Sequence, residues 1–383
     1  MAVSVLHVCD KFGVAGSSIH GVSRLFSWWF PRYDAERFHV GLVGLKGPEP
    51  ASRLLADAGI SVHHLGRGRY DPRIALDLVD LVRRRGIDIL HVHGYAAADF
   101  GRLAARVTGA ALVLHEHFAD PRMPGYQGLA DRLLAPFVDR AIAVSGSTRD
   151  FLVRKRHVPA EKVALIWNGA PLDEFAPVPE AAGRKVRAEL GIPDDAVVVG
   201  TVGRLSEQKG HRVMLEAAAR LLAGHPGAWV LIAGDGDQMP VLRAQAARMG
   251  ADARRVVFAG HRADVPAVLG AIDIFCISSH YEGTPLALFE AMAAGKAIVS
   301  TAVDGCREVL EDGVNGLLVP PGDAEAMAAA LGLVVGDASL RARLADGARQ
   351  SSRGYDIREC VRKMEELYDD VMRVRTEKAQ GRP

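Results

Sequence analysis

Short β-branched runs alternate with helical stretches along the chain, and the alternation runs through twice. Val3–Val8, Val40–Leu45, Ser61–His64, Ile87–Val92, Ala111–Leu114, Arg140–Val144 and Val163–Ile166 read as strands. Segments such as Arg73–Arg84 and Tyr95–Val107 have helical spacing. Around 168–193 the texture breaks: NGAPLDEFAPVPEAAG has little periodicity and suits a linker or a domain entry. Strands then resume at Val197–Val202, Trp229–Ala233, Val256–Ala259, Ile272–Ile277, Ala297–Ser300 and Leu317–Val319. Continuous apolar runs separated by helices are the pattern of buried parallel strands. The expectation is an α/β protein of two Rossmann-like, doubly wound domains facing an interdomain cleft. Ligands of such sheets bind beyond the carboxyl ends of the strands, so function is sought in the loops after strands.

Length agrees with this: 383 residues at ~150 per domain favour two domains. The 47 Lys and Arg against 46 Asp and Glu leave a charge of +1, with no general footprint for nucleic acid. Cys9, Cys276, Cys306 and Cys360 lie far apart without a CxxC pair, which reads as reduced intracellular thiols. MAVSVLHVCDKFG lacks the basic-then-apolar order of a signal peptide, and no window approaches ~20 apolar residues. A cytoplasmic protein without a membrane span is expected.

The segment SSHYEGTPLALFEAMAAGKAIVST, residues 278–301, says most about chemistry. Thr284 reads as a helix N-cap with Pro285 at the first helical position. The amides of Leu286 and Ala287 would then sit at the positive end of the helix dipole, a geometry suited to phosphate. LALFEAMAAG is apolar nearly all round, so the helix is buried, yet it contains Glu290. A buried carboxylate needs partners, and two adjacent ligand hydroxyls would serve. After the strand Val197–Val202 comes GRLSEQKGH, where Gly203 allows close backbone approach and Arg204 and Lys209 bring two cations to one strand end. Read alone, the two cations are equally a solvated loop pair.

In order, the blocks GRLSEQKGH, VLIAGDGD, VVFAGHRADV, EGTPLALFEAMAAGKAIVST and NGLLVPPGD resemble the family 4 retaining glycosyltransferases of the GT-B fold. The resemblance implies that Arg204 and Lys209 bind the diphosphate of a nucleotide-sugar donor and that Glu290 holds the ribose hydroxyls. It implies that Glu282, Gly283, Thr284, Pro285, Leu286 and Ala287 contact the donor sugar and phosphate. Gly203 and Gly234 would line the donor site, and the backbone at Gly260, His261 and Arg262 would meet the base. It sets an acceptor domain at 1–170, a donor domain at 171–354, and a C-terminal helix, 355–375, that returns to the first domain. The donor would be UDP- or GDP-linked, with no cofactor and no metal.

IDILHVHGY, GAALVLHEHF, RAIAVSGSTRDFL and LIWNGAPLDEF resemble the family's first domain in the right order. The family's histidine near the donor sugar falls on His117, with His115 in reserve. Gly16 matches one glycine of the family's N-terminal Gly-Gly loop and would approach the diphosphate; its neighbour here is Ala15. The reading is a metal-independent hexosyltransferase acting by front-face attack of an acceptor hydroxyl, as a monomer or a homodimer. Departing diphosphate charge would meet Arg204, Lys209 and the helix start, while His117 and Glu282 orient the sugar. Three alternatives stand beside it: a nucleotide-sugar epimerase, a non-catalytic sensor, and a metal-dependent hydrolase using the His91/His93 and His115/His117 pairs. Asp235-Gly236-Asp237 is formally a D-x-D metal motif, but its setting reads as a turn. RLFSWWFPRY has the aromatics of a peripheral membrane helix, while its few cations favour packing on the first sheet.

Overall fold

The computed structural model describes residues 2–13, 21–176 and 178–381; Gly16 lies outside them. Each strand expected from the sequence is present, with ends moved by at most two residues. The chain divides into two compact units, one holding residues 21–168 with both chain termini and the other holding 169–356.

In the first unit, β1 (Val3–Cys9), β2 (Phe38–Gly44), β3 (Val62–His64), β4 (Ile89–His93), β5 (Ala111–Glu116), β6 (Arg140–Ala143) and β7 (Val163–Leu165) form one sheet. Its order is β3-β2-β1-β4-β5-β6-β7, all neighbours parallel. Strand order reverses between β1 and β4, so the loops after those strands flank the crevice of this sheet. One of its faces packs Leu6, Val8, Leu90, Val92, Leu112 and Leu114 against the helices Arg73–Arg85 and Tyr95–Thr108. The helix Ile357–Ala379 belongs to this unit and buries Met364, Tyr368 and Val371. Asp34 N–H donates to Glu365 at 2.8 Å, and Arg140 and Arg375 pair with Asp370 and Asp139 at 2.7 and 3.0 Å. The helix Gly21–Trp29 buries Leu25, Phe26, Trp28 and Trp29, so its aromatics pack inward and are not offered to a membrane surface.

The second unit has β8 (Val197–Val202), β9 (Ala228–Ala233), β10 (Val256–Gly260), β11 (Ile274–Ile277), β12 (Ala297–Thr301) and β13 (Leu317–Val319). The order is β10-β9-β8-β11-β12-β13, again parallel, with the reversal between β8 and β11. The segment expected as a linker or a domain entry carries helical structure. It holds the helix turn Leu172–Phe175 and then enters the helix Glu180–Glu189. Arg187 of that helix reaches the carbonyls of Ala271, Asp194 and Ala196 and pairs with Asp273 at 2.8 Å. Four hydrogen bonds from one side chain, three to carbonyls and one to a carboxylate, explain how it is tolerated almost fully buried. All four cysteines are buried and unbridged. No described helix is long and apolar enough to cross a membrane.

Candidate functional site

In the second unit the loop after β8 and the loop after β11 leave the sheet side by side, at the reversal of strand order. Lys209 comes from the first and Glu282 from the second, and they meet: Lys209 Nζ lies 2.6 Å from Glu282 Oε1. The Ser279 hydroxyl donates to the same carboxylate oxygen at 2.6 Å. Backbone ties hold the two loops in register: Ser278 Oγ donates to the Lys209 carbonyl at 2.8 Å, His280 N–H to the Gln208 carbonyl at 2.8 Å, and Gln208 Nε2 to the Tyr281 carbonyl at 3.1 Å. Gly210 makes this approach possible. Its φ is +62°, and a Cβ there would stand 2.0 Å from the Ser278 carbonyl oxygen. Arg204 leans on Gln208 at 3.5 Å, within the same loop.

The helix that follows Glu282 runs Leu286–Ala293. Its N-cap is Pro285, in extended conformation, and not Thr284: the helix starts one residue later than expected, because ψ of 122° holds Pro285 outside it. The Pro285 side chain makes no cap hydrogen bond, and the amides of Leu286 and Ala287 belong to the group that intrahelical bonding leaves over. In the first unit the equivalent position is taken, since the Asp10 carboxylate accepts from Ala96 and Ala97 at 3.2 and 2.5 Å. Burial pushes the Asp10 carboxyl up from its ordinary value, opposed by those two amides. Glu290, one turn into the Leu286–Ala293 helix, is fully buried. Behind the loop, Gly305 lies against Gly283, whose carbonyl oxygen would be 1.5 Å from a Cβ at 305. A cavity of about 20 Å³, lined by Gly203, Lys209, Ser278, Ser279, Pro285 and Ala287 among others, sits at this junction. That is room for roughly one water-sized group.

Gly234 follows β9 and stacks on Gly203, where its Cβ would meet the carbonyl oxygen at 1.8 Å. Gly260 ends β10, and its carbonyl accepts from Gly234 N–H at 2.7 Å. His261 is exposed beyond it. The Arg262 side chain turns to Glu189 and Asp264, at 2.5 and 2.7 Å. Asp235 and Asp237 are exposed on a turn whose Gly236 N–H is bonded to Asp235 Oδ1 at 2.7 Å.

In the first unit β5 carries His115 and ends at Glu116, which leaves His117 just beyond it, half-buried. Parallel register places His7 of β1 beside His91 of β4, and His93 beside His115. Five histidines gather there. His7 Nδ1 is 3.0 Å from His93 Nε2, His93 Nδ1 is 3.0 Å from His117 Nε2, and His91 Nε2 is 3.1 Å from His115 Nδ1. Burial holds His7 down at about 3 and lowers His91, His93 and His115 well below the usual range, so these rings are neutral. In each of the trios His7–His91–His93 and His93–His115–His117, ring nitrogens lie within 4.8 Å of one another, the spacing a cation would need. Two of those contacts, His7–His93 and His93–His117, are already ring-to-ring hydrogen bonds, which a cation would have to break. Sequence reasoning saw the two H-x-H pairs and missed His7, which only the β1–β4 register reveals. It also missed a buried ionic cluster: Arg102 and Arg156 both hold Asp131, at 2.6 and 2.5 Å, and Arg156 also pairs with Glu116 next to His117.

Residues 183–351 match the family model described as Glycosyl transferases group 1, and residues 29–174 match Glycosyltransferase Family 4. The chain is 39% identical over 175 residues to the lipopolysaccharide core biosynthesis glycosyltransferase LpsE of Rhizobium meliloti, covering 46% of this chain and half of that protein. It is 27% identical over 369 residues to the Escherichia coli UDP-Gal:alpha-D-GlcNAc-diphosphoundecaprenol alpha-1,3-galactosyltransferase, covering 92% and 95% of the two chains. The crystal structure of Anabaena Alr3699/HepE in complex with UDP superposes with a TM-score of 0.82 at 24% identity, covering 96% of this chain and all of that one. This likeness speaks for the fold.

Proposed function

We propose that this chain, which belongs to the family 4 glycosyltransferases of the GT-B fold, moves a hexosyl group from a UDP- or GDP-linked sugar to an acceptor hydroxyl with retention and without a metal. The observation that carries this is the junction after β8 and β11: Lys209 against Glu282, beside the start of the Leu286–Ala293 helix, with Glu290 buried one turn inside. Breaking the bond from the anomeric carbon to phosphate leaves growing negative charge on the diphosphate. Lys209, Arg204 and the amides of Leu286 and Ala287 supply the compensating positive charge within one pair of loops. Glu290 takes the ribose hydroxyls, and Glu282 and His117 orient the sugar.

The acceptor oxygen bonds the anomeric carbon on the face that the phosphate leaves. Its proton passes to the leaving phosphate oxygen. No covalent intermediate and no protein base is required. A uridine donor is supported by the Escherichia coli relative, whose name carries UDP-Gal.

Chelation tests the metal-free part. Turnover in 5 mM EDTA, followed by release of the nucleoside diphosphate, is expected to stay within about twofold of the untreated rate, since fixed cations stand in for a divalent ion. A reversible collapse of activity on chelation would contradict the proposal. A thermal-shift screen of nucleotide sugars identifies the donor, with stabilisation by one base family as the expected result.

A further inference from the structure

Two helices begin at the junction after β8 and β11, and the first residue of one of them, His211, has no part in the donor site described so far. The helix His211–Gly224 starts directly behind Lys209, with Gly210 as its N-cap. Gly210 has no side chain to offer the amides of that first turn. Its carbonyl takes Val213 N–H at 2.9 Å and Met214 N–H at 3.3 Å, so the amides of His211 and Arg212 precede the first intrahelical bonds. The cavity of about 20 Å³ that is bordered by Pro285 and Ala287 is also lined by His211, Thr201 and Lys209. The positive ends of two helices therefore border one small space.

The His211 side chain is the second and independent sign of a ligand there. The residue is only 4% exposed, and its Nδ1 is buried with no hydrogen-bond partner among the described residues. The large majority of buried polar side-chain atoms are hydrogen-bonded, so an orphan in the wall of a polar cavity asks for an occupant. Burial, joined by the charge of Lys209, holds His211 down at about 3. The ring is then a neutral imidazole, with one N–H to give and one lone pair. Packing alone does not call for it: the helix buries Val213, Met214, Leu215, Ala217 and Ala218, and an apolar residue would extend that face at lower cost.

The surroundings select the occupant. A cation in the cavity would face the Lys209 ammonium and two positive helix ends. The neighbouring carboxylate, Glu282, is already held by Lys209 and Ser279. An oxygen carrying negative charge meets donors from several sides, and the volume admits roughly one such atom. We propose that His211 is a further donor-binding residue, whose ring N–H is given to an oxygen of the nucleotide diphosphate seated between the two helix starts. The inference rests on the reading of this junction as the donor site and deepens it. An uncharged donor adds a hydrogen bond to the departing diphosphate without setting a second cation against Lys209.

Calorimetric titration with UDP and with GDP tests this. His211→Leu fills about the same space without an N–H, and is expected to weaken the nucleotide that the wild type binds by about tenfold. His211→Asn and His211→Gln carry an amide N–H near the places of Nδ1 and Nε2, and one of them is expected to bind within about threefold of the wild type. Equal affinity in the wild type and folded His211→Leu overturns the proposal and leaves the donor reading standing. A similar loss in all three variants assigns the effect to packing and also overturns it. A wild type that binds neither nucleotide overturns the donor reading, and the proposal with it. Should His211→Leu fail to fold, a crystal structure of the wild type with the bound nucleotide decides. A ring nitrogen of His211 within about 3.2 Å of a phosphate oxygen is expected, and none within that distance overturns the proposal.

Discussion

Lys209→Ala is expected to lower kcat by about a thousandfold, the scale of removing a fixed charge-stabilising group from a transition state. Two losses combine. On the proposed reading the leaving diphosphate loses one of its cations, and Glu282, only 7% exposed at its side chain, loses the ion-pair partner 2.6 Å away. Ser279 Oγ still donates to the same oxygen, so the carboxylate stays placed although uncompensated. A second variant separates the two losses. If Lys209 served only to neutralise Glu282, Lys209→Ala combined with Glu282→Gln would recover activity. The double variant is expected to remain as slow as Lys209→Ala, because the diphosphate still lacks its cation. Steady-state release of nucleoside diphosphate measures both, and a Lys209→Ala rate within fivefold of wild type would contradict the assignment.

Acid is expected to unfold the protein early. Five buried histidines, His7, His91, His93, His115 and His211, have folded pKa values lowered from 6.5, with His7 and His211 at about 3. Burial is the main cause for each, joined by repulsion between neighbouring rings in the cluster and by Lys209 for His211. Below pH 6.5 the unfolded chain takes up protons that the folded chain refuses. Stability is therefore complete above pH 6.5 and is lost as pH falls from 6.5 towards 3. Each group costs about 1.4 kcal/mol per pH unit in that window, so the loss reaches several kcal/mol by pH 5.5. Four of the five lie in the first unit, which should lose structure first. Urea midpoints at pH 7.5, 6.5 and 5.5 test this: a steep fall below 6.5 is expected, and flat midpoints would contradict it.

Much of the fold was legible because buried parallel strands leave continuous β-branched runs, and Val197–Val202 needed no correction at either end. Lys209 and Glu282 were each legible as residues of a motif loop. Their contact was not, because it depends on β8 and β11 being neighbours although they are separated by two strand–helix units. The helix start was misplaced by one residue, since Pro fixes φ but leaves ψ to its surroundings, and here ψ is extended. The histidine cluster was half visible. Alternation put His91 and His93 on one face of their strand, and likewise His115 and His117, but His7 and Tyr368 join them from 84 residues before His91 and 277 after it. Arg102, Arg156 and Asp131 carried no signal at all, because charged positions on helices and loops read as solvated until packing buries them.

Glu290 offers the most direct test of the central claim, that the second unit grips a nucleotide through its buried carboxylate. Calorimetric titration of UDP and of GDP into the wild-type protein is expected to show one of them binding at a single site. Glu290→Gln keeps the side chain's shape and is expected to weaken that binding about ten- to a hundredfold, the worth of a charge-assisted hydrogen bond. Neither nucleotide binding to the wild type, or equal affinity in wild type and Glu290→Gln, would contradict the account.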